Sequence, residues 1–144
     1  MQFRTKIPIL QTNFKIDYNA KIVSLGSCFA VNMAEKFDYF KFENTCNPFG
    51  ILFHPFAIEK LIDFAVSGKS FTEEDVFFHN ERWHCFEVHS DLSASSSELL
   101  LVNLNKVLHS FRSQIQEATH LIFTYGTSWV YRNIASNGIV ANCH

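Results

Sequence analysis

The residues best placed by type and spacing to do chemistry lie in Ile22-Val23-Ser24-Leu25-Gly26-Ser27-Cys28-Phe29-Ala30. An apolar, β-branched run ends at a glycine, a serine follows, and an amphipathic stretch begins. Read as strand, turn and helix, this places Ser27 at the C-terminal edge of a strand, where open α/β sheets bind ligands. At that point Ser27 meets the unsatisfied amides and the positive dipole end of the helix. Both would stabilise an alkoxide or a tetrahedral oxyanion, and Gly26 would permit the sharp bend. Ser27 is therefore a candidate nucleophile, although serine is also a favoured helix cap and spacing alone favours the cap. Cys28 is a rival nucleophile, since a thiol in the first turn of a helix can become reactive. Without a partner it reads as a small hydrophobe.

Other groups offer weaker chemistry. His54 follows Gly50 in a proline-bracketed loop, and His144 ends the last predicted strand. Both are candidate bases near the active edge, with a surface or capping role as the simpler reading. His120 begins a strand and belongs at the opposite edge if that strand runs parallel to the first. His79, His84, Cys85 and His89 cluster by type, and thiolate with imidazole would suit zinc. However, alternation along a strand turns His84 and Cys85 apart, and no C-x-x-C or H-x-x-x-H spacing occurs, so no metal is expected. Trp83 with Phe77, Phe78 and Phe86, or Trp129 with Tyr125 and Tyr131, could form a platform for a sugar or acyl ligand. Most phenylalanines read more simply as core and strand residues.

The elements that must hold these groups follow from pattern. Residues 1–20 read as a lead-in strand or arm, and Lys21–Leu25 as a buried strand. Ser27 caps a helix whose Phe29, Met33 and Phe37 would form an apolar stripe. Pro55 starts a helix that buries Phe56, Ile58, Leu61, Ile62 and Ala65 and ends at Gly68. Val76–Phe78 and Arg82–Val88 pair across Asn80-Glu81. A long helix from about Ser96 to Ala118 carries Leu100, Leu104, Val107, Leu108, Phe111 and Ile115 on one side, with Ser95 and Glu98 at capping-box spacing. His120–Tyr125 is a second buried strand. Trp129–Arg132 and Ile139–Asn142 flank Asn137-Gly138, a hairpin signal. Strands alternating with helices predict an α/β sheet with helical cover.

Composition sets the outer limits. A chain of 144 residues has room for one domain, and 47% hydrophobic against 18% charged residues excludes a disordered chain. A net charge of −2 gives no electrostatic footprint for nucleic acid or an anionic membrane. No apolar stretch approaches the length of a spanning helix, and the start of the chain lacks the pattern of a secretory signal. A cytoplasmic location is expected, with Cys28, Cys46, Cys85 and Cys143 as free thiols.

Gly26-Ser27-Cys28-Phe29-Ala30 spells the motif of the GSCFA domain family, which the sequence resembles. This is a bacterial group similar to SGNH (GDSL-like) ester hydrolases. Asn47-Pro48-Phe49-Gly50 with His54-Pro55, then Gly126-Thr127-Ser128-Trp129-Val130-Tyr131 leading to Val140-Ala141-Asn142-Cys143-His144, extend the resemblance over most of the chain. It implies a three-layer αβα, flavodoxin-like parallel sheet and ester hydrolysis by Ser27. The amides of Ser27 and Gly50 would form the oxyanion hole. Ser128 stands where SGNH enzymes carry an asparagine, and a hydroxyl can supply one hydrogen bond there. Asn47, His54, Trp129 and His144 would lie near the substrate. The expected substrate is a small-molecule or carbohydrate ester, and the chemistry needs no cofactor.

The same resemblance places the catalytic histidine block downstream of the segment that ends at His144. Residues 1–144 thus read as the N-terminal portion of a GSCFA domain whose sheet is incomplete at its C-terminus. A serine without its base is a weak nucleophile; in a serine protease, losing the base costs on the order of 10⁶ in turnover. The alternative is a catalytically silent binding or interaction module on the same scaffold, whose exposed strand edge would call for a partner or a homo-oligomer.

Overall fold

A computed structural model describes residues 5, 7–8, 10 and 13–143. The central strand β1 (Lys21–Gly26) is buried from Ile22 onward. Strand β2 (Glu43–Cys46) pairs with it in parallel on one side, Ser24 opposite Cys46. Strand β5 (His120–Thr124) pairs in parallel on the other, Ile22 opposite His120 and Gly26 opposite Thr124. The sheet order is β2-β1-β5. Three helices accompany it: α1 (Cys28–Tyr39), α2 (Pro55–Ser67) and α3 (Ser97–Glu117). The fold is α/β, with a small parallel sheet and three helices.

Alternation along β1 separates two faces. Val23 and Leu25 enter the main core with Ile58, Leu61 and Ala65 of α2 and Leu100, Leu104, Leu108 and Phe111 of α3. Ile22 and Ser24 are equally buried but lie outside that cluster, on the opposite face by strand geometry. Phe49 is driven into the core from the loop after β2, edge-on to Phe111 at 5.3 Å between ring centroids. Burying that ring contributes about 1.5–3 kcal/mol and anchors the loop that crosses the end of the sheet.

Several local expectations are corrected. In α1 the buried residues are Ala30 and Ala34, and Phe29 is exposed, so small residues rather than the Phe29-Met33-Phe37 stripe approach the sheet. Phe56 is exposed although the rest of its stripe in α2 is buried or partly so. The cap of α3 is Ser96, one residue later than the Ser95–Glu98 box, with its side chain accepting from the Leu99 amide. Strand β2 had no signal in the sequence, because Glu-Asn-Thr-Cys is a polar run that suits an edge. Strand β5 is not buried on both faces: Leu121 and Phe123 share the face of Val23 and Leu25 but are exposed, because the core formed there with α2 and α3 does not extend over them. Among the described residues before Ala20 there is no strand.

Both hairpins form, with β3 one residue longer than expected and the other three strands shorter. β3 (Val76–His79) and β4 (Arg82–Cys85) pair with Phe77 opposite His84. Asn80 (φ +45°) and Glu81 (φ +60°) are both left-handed, as a type I′ turn requires. β6 (Tyr131–Arg132) and β7 (Ile139–Val140) close across Asn137, which is also left-handed. Among the described residues, no helix is long and apolar enough to cross a membrane.

Candidate active site at the strand–helix junction

The bend after β1 is built on glycine. Gly26 has φ +134°, and a Cβ there would sit 2.1 Å from the Thr124 carbonyl oxygen and 2.8 Å from Thr124 Oγ1. The missing side chain lets β5 close against the turn. Ser27 follows in extended conformation and caps α1, its Oγ accepting from the Phe29 amide at 3.3 Å. It is 8% exposed. The first turn of α1 carries no acidic residue, so the positive helix end faces the serine uncompensated.

Thr124 is the residue that sequence reasoning missed. The Ser27 amide donates to the Thr124 carbonyl at 2.8 Å and lies 3.0 Å from Thr124 Oγ1. Thr124 Oγ1 is also 3.1 Å from Ser27 Oγ. The signal lay in strand register: pairing Gly26 with Thr124 brings that threonine to Ser27, and register is not written in either strand alone.

The loop after β2 seals the same sheet edge. Asn47, left-handed at φ +44°, donates its amide to the Ser24 carbonyl at 2.9 Å, and its Oδ1 accepts from the Gly26 amide at 2.7 Å. Its Nδ2 is buried without a partner, as is Ser24 Oγ. The Leu52 amide donates to the Gly26 carbonyl, and the Phe53 carbonyl accepts from Gly126 and Thr127. Asn47 is thus a bracket of the turn that presents Ser27.

The remaining predicted residues separate from this cluster. The Gly50 amide donates to the Asn47 carbonyl at 2.8 Å, and a Cβ on Gly50 would lie 2.2 Å from the Cβ of His89. Like the Ser27 amide, it is engaged inside the fold rather than open to an oxyanion. His54 is buried: Nδ1 accepts from the Ala57 amide at 3.2 Å and caps α2, and Nε2 donates to the Val140 carbonyl at 3.0 Å. Both ring nitrogens are occupied, so His54 holds structure here and is not poised as a base. Ser128 is exposed. Trp129 is 85% exposed and, with Phe53, His54, Thr127, Val130, Tyr131 and Ala141, lines a cavity of about 170 Å³. His144 lies outside the described residues. His120 pairs with Ile22, at the far end of the sheet from Ser27, as expected for a parallel strand.

Electrostatics set the thiols apart. Cys28 and Cys143 are exposed, while burial pushes the Cys85 thiol up to about 12. Burial, then the Asp38 carboxylate, raises Cys46. Cys28, Cys46 and Cys143 are free thiols. Among the described residues, no group of histidine, cysteine or carboxylate side chains could hold a metal ion. A larger cavity, about 380 Å³, lies at the opposite end of the sheet beside Lys21, Glu43 and Gln114, away from Ser27.

The GSCFA family matches residues 21–144, from the first residue of β1 onward. The chain belongs to the GSCFA family. Its signature residues Gly26–Ala30 are therefore the junction itself: the glycine that admits Thr124, the serine cap, the exposed first-turn cysteine and phenylalanine, and Ala30, which is fully buried. No curated protein and no solved structure is significantly similar to this GSCFA chain.

Proposed function

We propose that this GSCFA chain is the serine-bearing scaffold of an ester hydrolase, with Ser27 as nucleophile. The observation that carries the reading is the position of Ser27 Oγ. It sits at the N-terminus of α1 and the C-terminal end of the central parallel strand, on a turn that only glycine permits. In the proposed reaction Ser27 Oγ bonds to the ester carbonyl carbon as its proton passes to a base, the base returns that proton to the departing alcohol, and water then hydrolyses the acyl-serine to the acid and free Ser27. Among the described residues, Ser27 Oγ is hydrogen-bonded to Thr124 and the Phe29 amide and to no histidine, while His54 is committed elsewhere and His120 sits at the far edge. The base is therefore proposed to come from outside the described residues. The three-layer, SGNH-like arrangement is part of the same proposal, supported by the two buried faces of β1. The exposed Trp129 and Tyr131 beside a small apolar-walled cavity support an acyl or acetyl ester of a carbohydrate as the substrate class. The free thiols Cys28, Cys46 and Cys143 support a reducing, cytoplasmic setting.

One observation favours a second reading, a binding or interaction module. The amides of Ser27 and Gly50, the expected oxyanion donors, are both engaged within the fold. An activated ester separates the two. With p-nitrophenyl acetate, the hydrolase reading expects p-nitrophenolate release together with an acetyl group on the Ser27 peptide by mass spectrometry. Ser27→Ala should lose both. Equal release from the two proteins, with no acetyl at Ser27, would leave the binding module.

A further inference from the structure

We infer that Thr124 is a positioning residue for the Ser27 nucleophile, an inference that rests on the hydrolase reading. Two observations converge on its hydroxyl. Thr124 Oγ1 lies 3.1 Å from Ser27 Oγ and 3.0 Å from the Ser27 amide nitrogen. The Ser27 amide can only donate, so Thr124 Oγ1 accepts there; either hydroxyl can donate across the 3.1 Å contact, and a developing Ser27 alkoxide, which can only accept, selects the orientation in which Thr124 donates. Ser27 Oγ also accepts from the Phe29 amide. Two donors then converge on the serine oxygen, and its own proton is left for a base.

The motif glycine belongs to the same device. A Cβ on Gly26 would stand 2.8 Å from Thr124 Oγ1 and closer still to the Thr124 carbonyl, so any other residue would push the threonine away from the serine. The central strand and its neighbour are thus locked at the one register that brings the hydroxyl to the nucleophile. Donors aimed at an oxygen that carries developing negative charge stabilise it most where water is excluded, and Ser27 is nearly buried. Thr124 thereby fixes the rotamer of Ser27 and favours its alkoxide, a task that the described histidines do not perform.

The step to measure is acetylation of Ser27 by p-nitrophenyl acetate. The Oγ–carbonyl bond forms, the bond to p-nitrophenolate breaks, and the serine proton goes to solvent or to a base. Thr124→Val keeps the shape and removes the hydroxyl; Thr124→Ser keeps the hydroxyl. The acetylation rate constant should fall about 10- to 100-fold in Thr124→Val, the factor one hydrogen bond to a charged oxygen supports, with the half-saturating ester concentration unchanged. Thr124→Ser should recover most of the rate. A merely structural threonine would not produce that split or that rescue. If Thr124→Val does not fold, Thr124→Ala gives the same comparison. A folded variant without the hydroxyl that acetylates at the wild-type rate, or a Thr124→Ser no better than Thr124→Val, would overturn the inference and leave the hydrolase reading standing. Wild-type protein that acetylates Ser27 no more than background removes both.

Discussion

Strands β1 and β5 lie side by side and parallel, and each leads through a glycine to a hydroxyl residue: Gly26-Ser27 after one, Gly126-Thr127 after the other. Their fates differ. β1 is buried on both faces and feeds straight into a 12-residue helix, with its glycine at φ +134°. β5 leaves Leu121 and Phe123 exposed, and its glycine leads into a loop tied to the Phe53 carbonyl. The two sequences are alike in apolar content. What separates them is cover: among the described residues β1 has strands on both sides and the α2 and α3 core over Val23 and Leu25, while that core does not reach Leu121 and Phe123 on β5. The proposed chemical role falls to the central strand because its end is bracketed by β5, the loop after β2 and the helix at once.

The largest test of that contrast replaces the two glycines. Gly26→Ala forces a left-handed residue and puts a methyl into the Thr124 backbone, so the protein should lose more than about 4 kcal/mol or fail to fold. Gly126→Ala meets a side-chain atom of the partly exposed Phe53, at 2.6 Å, and that ring can move. Its loss should stay within about 1 kcal/mol. Denaturant unfolding of both proteins measures the gap, and similar losses would mean that the two turns are equivalent after all.

A like-for-like truncation sharpens the comparison. Leu25→Ala in β1 removes a side chain that is 4% exposed and should cost about 2–5 kcal/mol. Leu121→Ala in β5 starts from 48% exposure and should cost under about 1 kcal/mol. A large loss at Leu121 would show that β5 is covered in solution by something beyond the described residues.

Cysteine chemistry divides the molecule in the same way. Exposed Cys28 and Cys143 should react with a thiol reagent at neutral pH in the folded protein, and Cys85 only on unfolding. With Cys85 raised from 9.0 to about 12 in the fold, the unfolded chain releases that proton first. Stability that is full below pH 9 should therefore decline as pH climbs through that interval. Thermal melts across it check the sign.

The smallest effect belongs to the ion pair joining the start of β1 to the end of α3. Lys21 Nζ lies 2.6 Å from Glu117 Oε2, and both side chains are well exposed. Hydrogen bonding to Lys21, with its charge, holds Glu117 below its ordinary 4.5. Any stabilisation is present above that value and fades as pH falls through the lowered one. Glu117→Gln should shift the melting temperature only slightly, and less still in salt. A large shift would mean that this end of the sheet is more shielded than its exposure indicates.

Much of this was legible in the chain. The capped junction at Ser27, the Pro55 start and Gly68 stop of α2, and the apolar stripe of α3 all rest on local rules, and local rules are written in neighbouring residues. β2 was not legible, because an edge strand tolerates the polar run Glu43–Cys46. Burial of β5 was misjudged, because an apolar run looks the same whether a core covers it or stops short of it.

At the candidate site the division is equally physical. The sequence by itself determined that a glycine and a serine join a strand to a helix, and that the chain carries the GSCFA signature. Only the tertiary structure decided which groups meet there. Thr124 reaches Ser27 from 97 residues away, Asn47 brackets Gly26 from 21 away, and His54 turns from a candidate base into a helix cap. Capping and turning depend on residues next to one another. Strand register and hydrogen-bond satisfaction depend on residues that only the closed sheet brings into contact.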